Sequence, residues 1–415
     1  MTAPKVRIRQ RRRGRAQVIV ALAAGAVFCV GVGLAIGRWS TILGWTATSA
    51  DSVPKTSTLV SAPGPWGRLE YTRIEIEPPA ALIPKLQPGR PRWFFQGRSQ
   101  AQVVQLLTEA EISPDEVDQV RKQGVWESVA KGTFLSPPLA FVVAIPAHAR
   151  RTIYGVLAQS EANPHQRDPI PVSPTLVDSL GSSGLSESTV TTFRALLYGP
   201  GPWLAFADLN TQLGLISEER ERIRFATFVL TAESYLTRLR IDSTTDIEGM
   251  ARYWDIAGQI GAMRPLLEAV MRVRGGSTVS VATLLPPLPR GELNRYPVAG
   301  DPIEAHSDCF WTALNFFADR PSGRIDDPAY VAEALRTQYR PTGAAPKLGD
   351  LIVLVDGRNT PVHAAVYIAD DFVFTKNGYG PLHPWTLMKV PAMVNLYTAL
   401  KGPLREITVA AARGR

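Results

Sequence analysis

The chain has 415 residues, 45% hydrophobic and 20% charged, which excludes wholesale disorder and leaves room for two or three ordinary cores. Its net charge of +8 does not mark a nucleic-acid surface. Lys5, Arg7, Arg9, Arg11, Arg12, Arg13, Arg15 and Arg38 account for that excess with no acid among them, so residues 39–415 are electrically balanced.

Taken in order, residues 1–15 are a basic arm. Residues 16–37 follow as an apolar run in which Gln17 is the only strongly polar side chain. At about 1.5 Å rise per residue, this run crosses a hydrocarbon core of roughly 30 Å as a helix. Cations before it outnumber the single Arg38 after it, which sets the amino terminus in the cytoplasm. The apolar run exceeds the roughly 7–15 residues of a cleaved signal, and the nearest small-x-small site, Ala47-Thr48-Ser49, lies well beyond it. The expectation is an uncleaved, single-pass anchor in the inner (cytoplasmic) membrane, with residues 16–37 in the lipid bilayer and the rest extracytoplasmic. The two cysteines then part company. Cys29 is in the membrane and Cys309 outside, so Cys309 is either a buried small apolar group or an employed thiol.

Residues 38–65 read as a linker rich in Ser, Thr, Ala, Gly and Pro. Residues 69–77 alternate apolar and charged side chains, as a half-buried strand does, and Pro78 and Pro79 stop them. A helix is expected from Ser99 to Glu111. Ser113-Pro114-Asp115-Glu116 is a capping box that starts a second helix, running to Gln123. Further helices are expected at 147–159, 186–197, 202–213, 217–240, 247–259 and 260–273, with Ile223, Phe225, Phe228, Val229, Leu236 and Leu239 as the buried side of the longest. His148 and His165 lack metal-ligand spacing and read as surface or core residues. Pro286-Pro287-Leu288-Pro289 reads as a stiff connector.

The chemistry-bearing stretch follows. Ser307 or Asp308 caps a helix whose first turn holds Cys309, where unpaired N–H groups and the helix dipole would lower the thiol pKa and favour the nucleophilic thiolate. Trp311, Leu314, Phe316 and Phe317 would anchor that helix in the core. Residues 362–369 are a strand, Asp370-Asp371 a turn, and 372–376 the returning strand. His363 and Asn377 then stand at the open ends of the pair as near neighbours. A His beside the thiolate shuttles its proton, and a polar third group orients the imidazole. Asn377 is the expected third group and His383 the alternative. His306, three residues before Cys309, supplies no credible zinc pattern.

Asp308-Cys309, Gly349-Asp350-Leu351 and His363-Ala364-Ala365-Val366-Tyr367-Ile368 together resemble the NlpC/P60 branch of the papain-like cysteine peptidases. The resemblance covers about a quarter of the chain, residues 301–400. It implies Cys309 as nucleophile, His363 as base, the Cys309 N–H in an oxyanion hole, amide bonds of peptidoglycan stem peptides as substrate, and no cofactor. The chain departs from the family pattern at Phe310-Trp311, where Ser-Gly is usual. The usual third polar position, about a dozen residues past the His, holds Thr375, with Asn377 two further on.

The expected fold class is α+β: an N-terminal transmembrane helix, a mainly α-helical middle domain and a C-terminal papain-like NlpC/P60 domain. The divisions are 1–15, 16–37, 38–65, 66–285, 286–300, 301–400 and a tail at 401–415. The expected function is a membrane-anchored cysteine hydrolase. The alternatives are a non-catalytic envelope binding protein with a degenerate NlpC/P60 fold, and an acyl or peptidyl transferase using the same Cys309.

Overall fold

In the computed structural model, residues 57–255, 260–298, 307–321 and 327–411 are described. The expected arm, membrane helix and most of the linker lie outside them, as does His306. Among the described residues no helix is long and apolar enough to cross a membrane.

The fold is α+β with several antiparallel sheets. The largest sheet has six strands, in the order Tyr339–Pro341, Arg405–Ala411, Leu351–Val355, Pro361–Ala369, Phe372–Lys376 and Trp385–Lys389. Its central sequences are near-continuous apolar runs, Leu-Ile-Val-Leu-Val being buried at every position, as is usual for strands covered on both faces. One face carries Leu351, Val353, Ala364, Val366 and Phe374, and packs with Trp311 and Phe316 of the Cys309 segment. The other carries Ile352, Leu354, Ala365, Tyr367 and Val373. It lies under the helix Val390–Lys401, which contributes Met393, Leu396 and Tyr397.

A four-stranded sheet is built on the pair Arg68–Ile76 and Ala232–Ile241, which are in register over nine residue pairs. The first of these strands matches the expected alternation. The second corrects the expectation of one helix over 217–240. The helix is Glu219–Leu230, and the chain then turns at Thr231 into a strand. From Leu236 to Ile241 exposed and buried positions alternate with period two, a pattern no helix produces. Ile223 and Leu236, expected inside, are each 47% exposed.

Other differences are smaller. Trp93–Gln96 joins Gly132–Ser136 and Val125–Val129 in a three-stranded sheet. Residues 202–213 hold the short strand Leu204–Phe206 before the helix Leu209–Leu215. The capping box is present as expected. Ser113 Oγ accepts from Glu116 N at 3.3 Å, the Glu116 carboxylate accepts from Ser113 N at 3.2 Å, and the helix spans Pro114–Gln123.

The Pro-rich segment, expected as an extended connector, contains the helix Pro287–Glu292. It does not separate two cores. Leu69, Leu239 and Trp254 share one apolar cluster with Leu351, Val366 and Phe374. Ser234 Oγ accepts from Leu387 N at 2.9 Å, which joins the two sheets, and Asn294 N, just past that helix, donates to Trp385 O at 2.9 Å.

A second core, around Phe95, Tyr154, Phe193, Phe206 and Phe225, belongs to residues upstream of 231 with the addition of Tyr296. It encloses a charged centre. The Arg150 guanidinium donates to Asp208 at 3.1 Å, to Tyr154 Oη at 2.9 Å and to Val142 O at 2.5 Å. Arg150 is fully buried, and this network is what makes its burial tolerable.

Candidate active site

Cys309 opens the helix Cys309–Leu314. Asp308 is the cap, and its carboxylate accepts from Trp311 N at 2.7 Å. The helix is pinned behind the cysteine, with Trp311 and Ala313 buried and Trp385 Nε1 donating to Thr312 Oγ1 at 3.0 Å. Phe316 is in the core as expected. Phe317 is 48% exposed and instead lies over Gly349, where a Cβ would meet its ring at 2.2 Å. Gly349 has φ +89°, so this glycine of the Gly-Asp-Leu motif is required twice over, by backbone and by ring.

The Cys309 thiol is free and 8% exposed. Its sulfur neighbours the backbone N–H of Ala364, the residue after His363. Burial pushes the thiol pKa well up, the Asp308 charge adds to the rise, and the Ala364 N–H only partly opposes it. This reverses the expected direction. Burial is the largest influence, and it outweighs the N–H groups of Ala364 and of Phe310 in the first turn, which favour the thiolate.

His363 lies in the strand Pro361–Ala369, opposite Leu354, and is fully buried. Its Nε2 is 3.0 Å from Thr375 Oγ1. Its ring stacks on Tyr397, with centroids 3.8 Å apart and planes inclined by 22°. Nδ1 has no hydrogen-bond partner. Burial lowers the imidazole pKa to about 3. Thiol and imidazole are therefore both neutral at neutral pH, and no hydrogen bond joins them among the described residues.

Asn377 stands one residue beyond the strand Phe372–Lys376 and does not reach the imidazole. Its amide nitrogen is 3.5 Å from Met388 Sδ, its Oδ1 is buried without a partner, and the side chain borders a cavity of about 90 Å³ together with Trp203, His383 and Leu396. His383, the alternative, is 3.3 Å from Asp168 Oδ2. Its ring lies over Gly378, where φ is +146° and a Cβ would come within 2.5 Å of the imidazole. Thr375 holds the position beside His363, twelve residues on, that sequence reasoning noted and passed over. Tyr397 and Asp168 carried no local signal at all.

Asp168 follows the short helix Pro164–Arg167 and accepts from the Tyr379 N–H as well as pairing with His383. Burial alone would raise its pKa, but His383, the Tyr379 N–H and Lys376 outweigh that and hold the carboxyl below its usual range. Among the described residues no three His, Cys, Asp or Glu side chains converge as metal ligands. Compared with protein-family models, curated proteins and solved structures, the chain matches none of them.

Proposed function

We propose that Cys309 and His363 form the catalytic pair of a membrane-anchored, extracytoplasmic cysteine hydrolase of NlpC/P60 type, acting on amide bonds of cell-wall peptides. One observation carries the reading: a buried imidazole is held at Nε2 by Thr375 while Nδ1 is left unpaired, on the strand whose Ala364 N–H the Cys309 sulfur neighbours. A buried, unsatisfied polar atom is costly, and catalytic use is one reason such an atom is kept. The NlpC/P60-like order of Cys309, Gly349-Asp350-Leu351 and His363 supports the same assignment.

The chemistry follows from the tautomer. With the ring hydrogen on Nε2 donated to Thr375 Oγ1, Nδ1 presents a lone pair. The neutral thiol gives its proton to Nδ1 as sulfur attacks the amide carbonyl. The imidazolium returns the proton to the leaving amine, and a thioester remains on Cys309. Water, deprotonated by the same Nδ1, then releases the acid and regenerates the thiol. This is general-base activation at the moment of attack rather than a standing thiolate–imidazolium pair.

The test is digestion of purified peptidoglycan by the detergent-solubilised full chain, with products identified by mass spectrometry. New stem-peptide fragments that vanish in Cys309→Ala and in His363→Gln are expected. Their absence from the wild-type chain and from a variant with an exposed thiol would overturn the reading. Amine acceptors added to the digest distinguish a transferase, whose products would carry the amine. The burial of both groups favours, as a second reading, a non-catalytic envelope protein, which yields neither product.

A further inference from the structure

We propose that the Arg167-Asp168 segment is an autoinhibitory clasp that closes the Cys309 centre. The inference rests on Cys309 being the working nucleophile. The segment lies between the helix Pro164–Arg167 and the strand Ile170–Val172, more than a hundred residues upstream of the cysteine. It grips the C-terminal part of the chain at three points. Asp168 Oδ2 pairs with His383 Nε2 at 3.3 Å and accepts the Tyr379 N–H, while Arg167 O accepts from Lys401 Nζ at 3.2 Å.

These anchors straddle the centre. His383 and Tyr379 lie in the loop that follows the strand bearing Thr375. Lys401 ends the helix that places Tyr397 on the His363 ring. Asp168 is also close enough for its charge to act on Cys309, Tyr397 and Lys401. A single short segment thus ties together the two elements that flank the imidazole, at a place where the thiol is 8% exposed and the imidazole not at all.

Its bonds are of a kind that opens without unfolding the sheet. Two contacts are made by the Asp168 side chain, itself about one-third exposed, and the third by the terminal amine of a lysine at a helix end. Breaking them loosens His383 and the end of the helix Val390–Lys401, while Lys376 Nζ still holds the loop at Gly378 O and Gly380 O and the strands beneath stay paired. Substrate entry and release of the segment are then one event, and the closed form protects a lone thiol from oxidation and adventitious acylation.

The experiment measures carbamidomethylation of Cys309 in the detergent-solubilised full chain by iodoacetamide, read on the Cys309 peptide so that Cys29 does not interfere. Asp168→Ala is expected to label at least fivefold faster than wild type, and Lys401→Met to label faster by a smaller factor. Amide exchange of Leu351–Val355 should stay as slow as in wild type. Asp118→Ala, which removes an exposed carboxylate far along the chain, serves as the control. Labelling of Asp168→Ala at the wild-type rate would overturn the clasp. So would faster labelling accompanied by equally faster exchange in those strands, because that is global loosening. If Asp168→Ala does not fold, the Lys401→Met rate decides by the same criteria. Faster labelling with no peptidoglycan product leaves the clasp standing and removes the hydrolase.

Discussion

Thr375 Oγ1 stands 3.0 Å from Nε2 of His363, the two side chains reaching each other across neighbouring antiparallel strands. This hydroxyl holds the imidazole in place. Thr375→Val keeps the shape and removes the hydrogen bond, leaving both ring nitrogens unpaired in the interior. The expected loss is about 1–3 kcal/mol of stability. Thr375→Ser, which keeps the hydroxyl, should lose less and retain more peptidoglycan turnover. Urea denaturation of the three proteins measures the first effect, and the digest measures the second.

The imidazole also sets a pH dependence. Its pKa is about 3 when folded and about 6.5 when unfolded, so between those values the unfolded chain binds the extra proton. The stability that comes from keeping His363 neutral is complete above pH 6.5 and is lost as pH falls toward 3. The full window corresponds to roughly 4–5 kcal/mol. Urea midpoints at pH 7.5, 5.5 and 4.5 should fall more steeply for wild type than for His363→Gln. Parallel slopes would mean that the ring titrates alike in the folded and unfolded chain.

Cys309 should behave as a suppressed thiol. With burial and Asp308 both raising its pKa, its alkylation at pH 7 is expected to be slower than that of the urea-unfolded chain. The rate should climb with pH through 9 without levelling. A plateau near pH 6–7 would reveal a preformed thiolate. Asp308→Asn removes the adjacent charge but keeps a capping oxygen, and it is expected to speed alkylation.

The Arg150 network tests the upstream core. Arg150→Met strands the Asp208 carboxylate and leaves Val142 O without its donor. Breaking one side of a buried pair in this way costs about 3–5 kcal/mol. Arg150→Met combined with Asp208→Asn removes both charges and should recover a substantial part of that loss. Thermal or urea melts of the two variants make the comparison.

Gly349 tests the motif next to the cysteine helix. Gly349→Ala meets the Phe317 ring and forces a non-glycine residue to φ +89°, with an expected cost of about 1–3 kcal/mol. Adding Phe317→Ala relieves the clash but leaves the backbone strain, so a partial recovery is expected in the urea midpoint.

Legibility in the sequence followed the range of the forces involved. The Asp308 cap, the cysteine in the first turn, the strand Leu351–Val355 and the hairpin at Asp370-Asp371 are all set by neighbours along the chain. The partner of His363 is not. Thr375 and Asn377 are two apart, so the period-two alternation of a strand sends both toward the same face; the pairing of Val366 with Phe374 and Tyr367 with Val373, continued, sets Asn377 opposite His363, yet the imidazole reaches the diagonal Thr375. The direction of the Cys309 pKa was misread for a related reason. A helix start speaks for the thiolate, whereas burial by distant segments speaks against it, and the latter leaves no local trace. The expected helix over 217–240 failed where long-range pairing with Arg68–Ile76 overrides a stretch that also satisfies a helical spacing.

The hydrogen bond from Leu387 N to Ser234 Oγ, and the apolar residues that surround it, carry a practical consequence for anyone wishing to handle the cysteine-bearing part alone. Cutting the chain at its proline-rich segment would strip Phe374 and Val366 of the partners Leu239 and Trp254 provide. The excised fragment would present a wet, sticky flank and should collect in inclusion bodies, whereas a version beginning upstream of Arg68 keeps its own lining and should stay dispersed.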